Sequence, residues 1–416
     1  MGFGQGLSGL NAAAQNLDVI GNNIANSGTV GFKSASASFA DVYASSRVGL
    51  GVKVSAINQR FTVGNVTVTG GEYDIAIDGP KGFFRLTDPS GGVFYSRNGE
   101  FLVDKDFYLV NAQGFRLTGY AAGAVGSAPV DLRLPQGNIA PSATSTASLQ
   151  TNLDANAKAI DPATAPFDPT LASTYTDSVP TTVYDSLGNA HQLTQYFVKR
   201  EGNAATDESV YDVYYTLNGE AMAPTTKDPI TGAWGGATPL AFDSAGRLTT
   251  MPSSVPLSFE QPGGTASPAA ELNIVMSYDG VTQYGSDFSP KITQNGYSSG
   301  EFSGISVGKD GALQANYTNG ETAVIGTLAL ANFNNVQGLQ PVGNNAWAET
   351  AASGQATLGQ PGSNGLATVV GQAVEASNVD MSKELVNMIV AQRTYQANAQ
   401  TIKTQDEVMQ VLMNMR

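Results

Sequence analysis

From Phe3 onward, apolar or small residues return at alternating steps of four and three: Phe3, Leu7, Leu10, Ala14, Leu17, Gly21 and Ile24. That spacing predicts a helix with a heptad seam along one side. The far end of the chain repeats the pattern at Leu385, Met388, Gln392, Tyr395, Ala399, Ile402, Asp406, Met409 and Met413, and Ser377-Asn378 is placed to cap its start. Between these ends the period falls to two. Tyr211, Val213, Tyr215 and Leu217 run into Asn218-Gly219, and Leu272, Ile274, Met276 and Tyr278 run into Asp279-Gly280. Asn-Gly pairs at 98, 218, 295, 319 and 364 and Asp-Gly pairs at 78, 279 and 310 supply the positive φ that two-residue hairpins need. The expected fold is mostly β with α-helical termini, its antiparallel β domains joined to a terminal-helix coiled-coil domain.

The first helix is unusual in its polar side. Between Met1 and Phe32 the single charged side chain is Asp18, and the face opposite the seam carries Gln5, Asn11, Gln15, Asn16, Asn22 and Asn23. A helix facing water normally shows Lys and Glu there. An uncharged polar face predicts a surface covered by other protein. Leu7, Leu10, Leu17 and Ile24, with Leu385, Met388, Tyr395 and Ile402, are therefore the candidate assembly interface. Two stretches break the strand pattern. Ala140 to Ser178 is rich in Ala, Ser, Thr and Pro and reads as a boundary or an extended crossing, and Ala221 to Gly264 reads as long loops.

Composition narrows the function. At 416 residues the chain exceeds one ordinary domain, so two to four are expected, and a hydrophobic share of 41% suffices for sizeable cores. The 35 acidic against 21 basic residues give a net charge of -14, and no long Lys/Arg run argues for nucleic acid or an anionic membrane as partner. The absence of cysteine removes disulfides, thiolate metal sites and cysteine nucleophiles. No apolar run approaches the roughly 20 residues of a membrane span. The N-terminus has neither a basic region nor a compact apolar core, so it is not read as a cleavable signal peptide.

Three patterns suggest chemistry and are set aside. Gly4, Gly6 and Gly9 fit G-x-G-x-x-G, yet too few residues precede Gly4 to form the strand a dinucleotide site requires. His191, the single histidine, lies near Asp185 and Ser186, but Val183 to His191 reads as strand, turn, strand. Asp104 and Asp106 open like a calcium loop, and Phe107 and Tyr108 then stand where oxygen ligands belong. No enzyme activity, metal or cofactor is expected.

The segment Leu7 to Lys33 (LSGLNAAAQNLDVIGNNIANSGTVGFK) resembles the signature of the flagellar rod and hook axial protein family. Gly82-Phe83-Phe84, Phe94 to Phe101, Leu109 to Gly114 and Glu375 to Ala399 extend the resemblance, while Val183 to Lys199, Gly280 to Phe288 and Gly343 to Trp347 resemble the middle of the hook proteins within it. The resemblance implies a nested, discontinuous architecture: residues 1–25 and 376–416 as an inner-tube coiled coil, 26–70 and 350–375 as a connecting segment, 71–145 and 284–349 as an inner β domain, and 146–283 as an inserted outer β domain. It implies a structural subunit of the bacterial flagellar hook, exported without a cleaved signal peptide, that self-assembles into a curved flexible tube and transmits torque from rod to filament. The implied partners are further copies of itself, the distal rod protein, the hook cap protein, the hook–filament junction protein and the flagellar export apparatus. The alternatives are a distal rod subunit, or a secreted β-rich adhesin or carbohydrate-binding module.

Overall fold

The computed structural model describes residues 3–42, 49–202, 208–250 and 253–414. The extreme ends assigned above to the two helices (1–2 and 415–416), part of the connecting segment (43–48) and short pieces of the insert (203–207 and 251–252) lie outside them. Two helices flank a large β interior: α1, Phe3–Ala25, and α2, Met381–Asn414. The chain divides into two compact units.

The first unit spans Met1–Gln136, Ser303–Asn316 and Thr322–Arg416. Beyond α1 the chain forms an antiparallel pair, Ala35–Val42 with Gly51–Gln59, with a bulge at Ser38/Phe39. The outgoing chain then runs beside the returning one: Val66–Val68 pairs with Ala373–Glu375, and Ile75–Asp78 pairs with Thr368–Gly371. Ile75, Ala76 and Ile77 are all fully buried, so this strand is covered on both faces. A mainly antiparallel sheet follows in the order Thr322–Leu328, Arg116–Ala121, Phe83–Thr87, Val93–Ser96, Ala346–Ala348, Gln340–Gly343. Phe83, Tyr95, Phe333 and Trp347 make its aromatic core, with ring centroids 4.8 Å apart for Tyr95–Phe333 and 5.7 Å for Phe83–Trp347. Edge-to-face contacts of this kind add to the area that such rings bury.

The second unit spans Gly137–Phe302 and Tyr317–Glu321. One of its sheets joins Asp177–Tyr184, Ala190–Lys199 and Ser209–Leu217, with Thr238–Phe242 on the outer side of the last. The other runs Ser254–Phe259, Leu272–Ser277, Thr146–Gln150, Lys291–Gln294. Side chains of both, among them Leu149, Phe197, Tyr215, Leu257 and Met276, meet in one core, which makes the unit a β sandwich. Leu272, Ile274 and Met276 point in while Asn273 and Val275 point out, the period-two reading realised. Two pairings run parallel: Thr146–Ser148 with Val275–Ser277, and Asn152–Asp154 with Thr282–Tyr284.

The proline-rich stretch after Ala140 is folded rather than merely crossing. Phe167 is buried, stacked on Tyr214 at 4.0 Å and 10°, with Tyr196 and Trp234 beside it. This segment covers the outer face of the sheet that carries Tyr214. Tyr214 and Thr216 are therefore buried, as are Val213 and Tyr215 on the opposite, core-facing side of the same strand.

Candidate assembly surface

Each terminal helix closes on the other along a narrow face. On α1 the buried residues are Gly6, Ala12, Ala13, Val19, Ile20 and Asn23. Small side chains bring the axes together: a Cβ on Gly6 would stand 3.0 Å from Ile402 Cγ1, and one on Gly9 only 2.6 Å from Asn398 Oδ1. Among the described residues of α2 the buried positions are Glu384 and Ala391, one heptad apart.

The eight candidate interface residues are thus distributed unevenly. Ile402 packs against Gly6 within the chain. Leu7 and Leu385 stand 44% and 46% exposed, Tyr395 is exposed, and Leu10, Leu17, Ile24 and Met388 are half-buried. The face that closes in α1 lies one residue behind the Leu7, Leu10, Leu17, Ile24 seam, leaving that seam on the flank of the pair. Helix α2 also presents Val386, Ile389, Val390, Val408 and Val411 outward, a broader apolar surface than the heptad reading assigned.

The uncharged polar face of α1 is partly used inside the chain. Asn23 holds the main chain of Ala35 by a reciprocal pair of 2.8 Å hydrogen bonds, Nδ2 donating to the carbonyl and Oδ1 accepting from the N–H. Gln5 donates to the Gly49 carbonyl at 2.6 Å. Asn11, Gln15 and Asn22 remain exposed. Between α1, α2 and the two-stranded pair lies an open groove of about 660 Å³, walled by Ala12, Val19, Phe39, Val52 and Val390.

Asp380, rather than Ser377-Asn378, caps α2: its Oδ1 accepts from the Lys383 N–H at 3.1 Å and its carbonyl from the Glu384 N–H at 2.9 Å. Asn378 is drawn into the strands instead, donating to the Arg60 carbonyl at 2.7 Å and accepting from the Ser34 N–H at 2.7 Å.

Just before that cap sits an ion cluster that sequence spacing alone does not reveal. Glu375 is fully buried and takes Lys33 Nζ at 2.6 Å on Oε1 and Arg97 Nη1 at 3.1 Å on Oε2. Oε1 also accepts from the Gly64 N–H at 2.8 Å, Lys33 donates to the Thr62 carbonyl at 2.7 Å, and Arg97 to the Gly79 carbonyl at 3.0 Å. Burial lowers the pKa of Lys33 and of Arg97, and the Glu375 carboxylate offsets part of that in each. Arg97 Nε has no hydrogen-bond partner. One carboxylate therefore holds four stretches of chain, from Lys33, Gly64, Arg97 and its own strand. All three charged residues fall within the blocks that carry the family resemblance, which is the one signal that marked them.

The patterns set aside as chemistry have structural roles. Asp185 opens the turn between paired strands and its carboxylate touches His191 Nε2 at 3.1 Å. Burial opposes its charge, but hydrogen bonds from Asn189, His191 and the Asn189 and Leu187 N–H groups outweigh it and hold its pKa at about 2. Ser186 Oγ accepts from the Ala270 N–H, away from the histidine. Asp104 Oδ1 accepts from the Asp106 and Tyr108 N–H groups, each at 2.8 Å, closing a turn. Among the described residues no group of three His, Asp or Glu side chains is placed to hold a metal ion, and no helix is long and apolar enough to cross a membrane.

Comparison with known proteins matches four family models to this chain: Flagella basal body rod protein over residues 5–33, Flagellar hook protein FlgE/F/G D1 domain over 76–159, Flagellar basal body protein FlaE D2 domain over 152–297, and Flagellar basal body rod FlgEFG protein C-terminal over 370–415. The chain is 45% identical to the flagellar hook protein FlgE of Salmonella typhimurium and 44% identical to that of Escherichia coli, covering 100% of both chains in each case. It is 31% identical to FlgE of Borreliella burgdorferi over 99% of this chain and 98% of the other. The crystal structure of Helicobacter pylori flagellar hook protein FlgE2 shares the fold, with a TM-score of 0.52 at 14% identity over 74% of this chain and 100% of that one.

Proposed function

Since the chain belongs to the flagellar hook protein family, we propose that its two helices carry the assembly contacts of a homopolymer. It is a structural subunit of the bacterial flagellar hook and a part of the flagellum. The observation that carries the assembly reading is that Leu7, Leu385, Val386 and Ile389 stay exposed after α1 and α2 have packed on each other. Large apolar side chains grouped on one helix pair mark a surface meant for other protein. Copies of this chain are the partner of choice, because α1, with Asp18 as its single charged side chain, is poor in the charges that would solvate a free surface.

Leu7, Leu10, Leu17, Ile24, Leu385, Met388 and Tyr395 then face neighbouring copies, and Ile402 closes each subunit's own helix pair. The division into residues 1–25 and 376–416 (inner tube), 26–70 and 350–375 (connector), 71–145 and 284–349 (inner β domain) and 146–283 (outer β domain) is supported by the pairing of outgoing with returning strands at Val66–Val68 and Ile75–Asp78. The distal rod protein, the hook cap protein, the hook–filament junction protein and the export apparatus are the further partners, and export proceeds without removal of the N-terminus. The chain catalyses nothing. A folded β sandwich in the middle favours the hook over a rod subunit. Electron microscopy of the concentrated, purified chain tests the reading: curved tubes support it, and dispersed particles at every concentration overturn it.

A further inference from the structure

The five Asn-Gly pairs have a chemical as well as a conformational property. The amide of an asparagine is open to attack by the next main-chain nitrogen, and a following glycine has no side chain to shield that nitrogen. Four of the pairs are held by their asparagine side chains. Asn98 Oδ1 accepts from the Glu100 N–H at 2.8 Å. Asn218 Oδ1 accepts from the Gln192 N–H at 2.9 Å while its Nδ2 lies 2.9 Å from His191 Nδ1. Asn295 Oδ1 accepts from the Ser145 and Thr146 N–H groups, both at 3.0 Å. Asn319 donates to the Ser298 carbonyl at 2.7 Å and accepts from the Glu321 N–H at 3.0 Å.

Asn364 differs in its side chain: like Asn218 and Asn295 it is exposed, but its amide makes no hydrogen bond with the described residues. With φ values of 50° and 73°, Asn364 and Gly365 are the central pair of a turn closed by the Leu366 N–H on the Ser363 carbonyl at 2.8 Å. Gly365 is exposed, and a Cβ on it would meet no atom within 4 Å, so no neighbouring group crowds this peptide.

We propose that Asn364-Gly365 is a site of spontaneous covalent modification, deamidating in the folded protein ahead of the other four pairs. The Gly365 nitrogen, its proton taken by hydroxide, bonds to Asn364 Cγ. The bond from Cγ to the amide nitrogen breaks, ammonia leaves, and a five-membered succinimide remains. Water opens that ring at either carbonyl, yielding aspartate or isoaspartate. The balance is amide plus water to acid plus ammonia, with no oxidant or reductant. Both products add a negative charge to a chain whose net charge is already -14. Isoaspartate also routes the main chain through an extra methylene, in the turn that leads into the Thr368–Gly371 strand.

The test is peptide mapping by mass spectrometry of the folded chain, incubated at mildly alkaline and at mildly acidic pH beside a sample unfolded in urea. The amide-to-acid mass shift is expected at Asn364 first, faster at alkaline pH, with the other four pairs intact until urea breaks the hydrogen bonds that hold their side chains. Asn364→Gln should remove the folded-state shift and leave the urea-dependent ones. An unmodified Asn364 in folded protein, when the urea sample has reacted, would overturn the proposal. So would equal loss at any of the other four pairs in the folded chain.

Discussion

Glu375 carries the most consequence of any single side chain in the first unit, because two buried cations depend on it. Glu375→Ala leaves Lys33 and Arg97 facing each other in the interior with the Gly64 N–H unpaired. Breaking a buried pair in this way costs about 3–5 kcal/mol, and denaturant unfolding of the purified variant should show a loss of that order. A change within ordinary surface-mutation scatter would mean that the interior admits water to those cations. In the second unit, Tyr215 and Tyr278 share a 2.7 Å hydroxyl contact, and Tyr278 donates to Gln195 Oε1 at 2.8 Å. Burial raises the pKa of both above the ordinary 10.0. A folded-state value above the unfolded one contributes stability that is complete below the unfolded pKa and is lost as pH rises beyond it. Stability should therefore fall as pH climbs above about 10. Phenolate absorbance should show these two tyrosines ionising together with unfolding, while exposed tyrosines ionise earlier. Smooth titration of every tyrosine before the fold melts would contradict their burial.

Among the elements, the helix pair separates two effects that a seam alone would merge. Leu17 lies on the flank of the pair, half-buried, whereas Ile402 touches Gly6 across it. Leu17→Asp should leave the monomer's helix content unchanged by circular dichroism and prevent assembly. Each subunit would forfeit roughly 1.5–3 kcal/mol of apolar burial and gain an unpaired charge, so the critical concentration should rise by more than the tenfold that about 1.4 kcal/mol implies. Ile402→Asp should block assembly as well, but with a loss of helix signal in the monomer, because it strikes the contact that holds α1 to α2. Equal helix signals for the two variants would place Ile402 on the outside. Normal tubes from Leu17→Asp would remove the flank from the interface.

For the molecule as a whole, the chain leaves the sandwich of the second unit beside the place where it enters it. Ser142 and Tyr297 exchange two main-chain hydrogen bonds of 3.0 Å, so the outgoing and returning chains are adjacent there. Replacing residues 143–296 with a short Gly/Ser linker should spare the first unit, since loop closure between neighbouring ends is inexpensive. Such a chain is expected to form tubes of altered curvature by electron microscopy, because the contacts assigned to assembly lie on α1 and α2. A folded chain that yields monomers alone would assign tube formation to the sandwich.

Period and turn chemistry by themselves determined a good deal. The seams announced helices at both ends, Asn218-Gly219 ended the strand Ser209–Leu217, and Asp185 opened a turn between strands, since these features depend on residues near one another in the chain. The family of the chain was legible too, in blocks from Leu7 to Lys33 and from Glu375 to Ala399. The tertiary structure decided the rest. Periodicity says that a helix has an apolar side but not which flank closes on a partner; small residues at Gly6, Gly9 and Ala13 allowed the closest approach, so the axes met there and left the leucines beside them. Hairpins can join only antiparallel strands, which hid the parallel pairing of Thr146–Ser148 with Val275–Ser277, segments that no single turn connects. Asn378 had the chemistry of a cap but was taken by Arg60 and Ser34, so Asp380 took the role. Lys33, Arg97 and Glu375 read one at a time as three ordinary charges. Only a fold that brings residues 342 positions apart to 2.6 Å makes them one buried cluster.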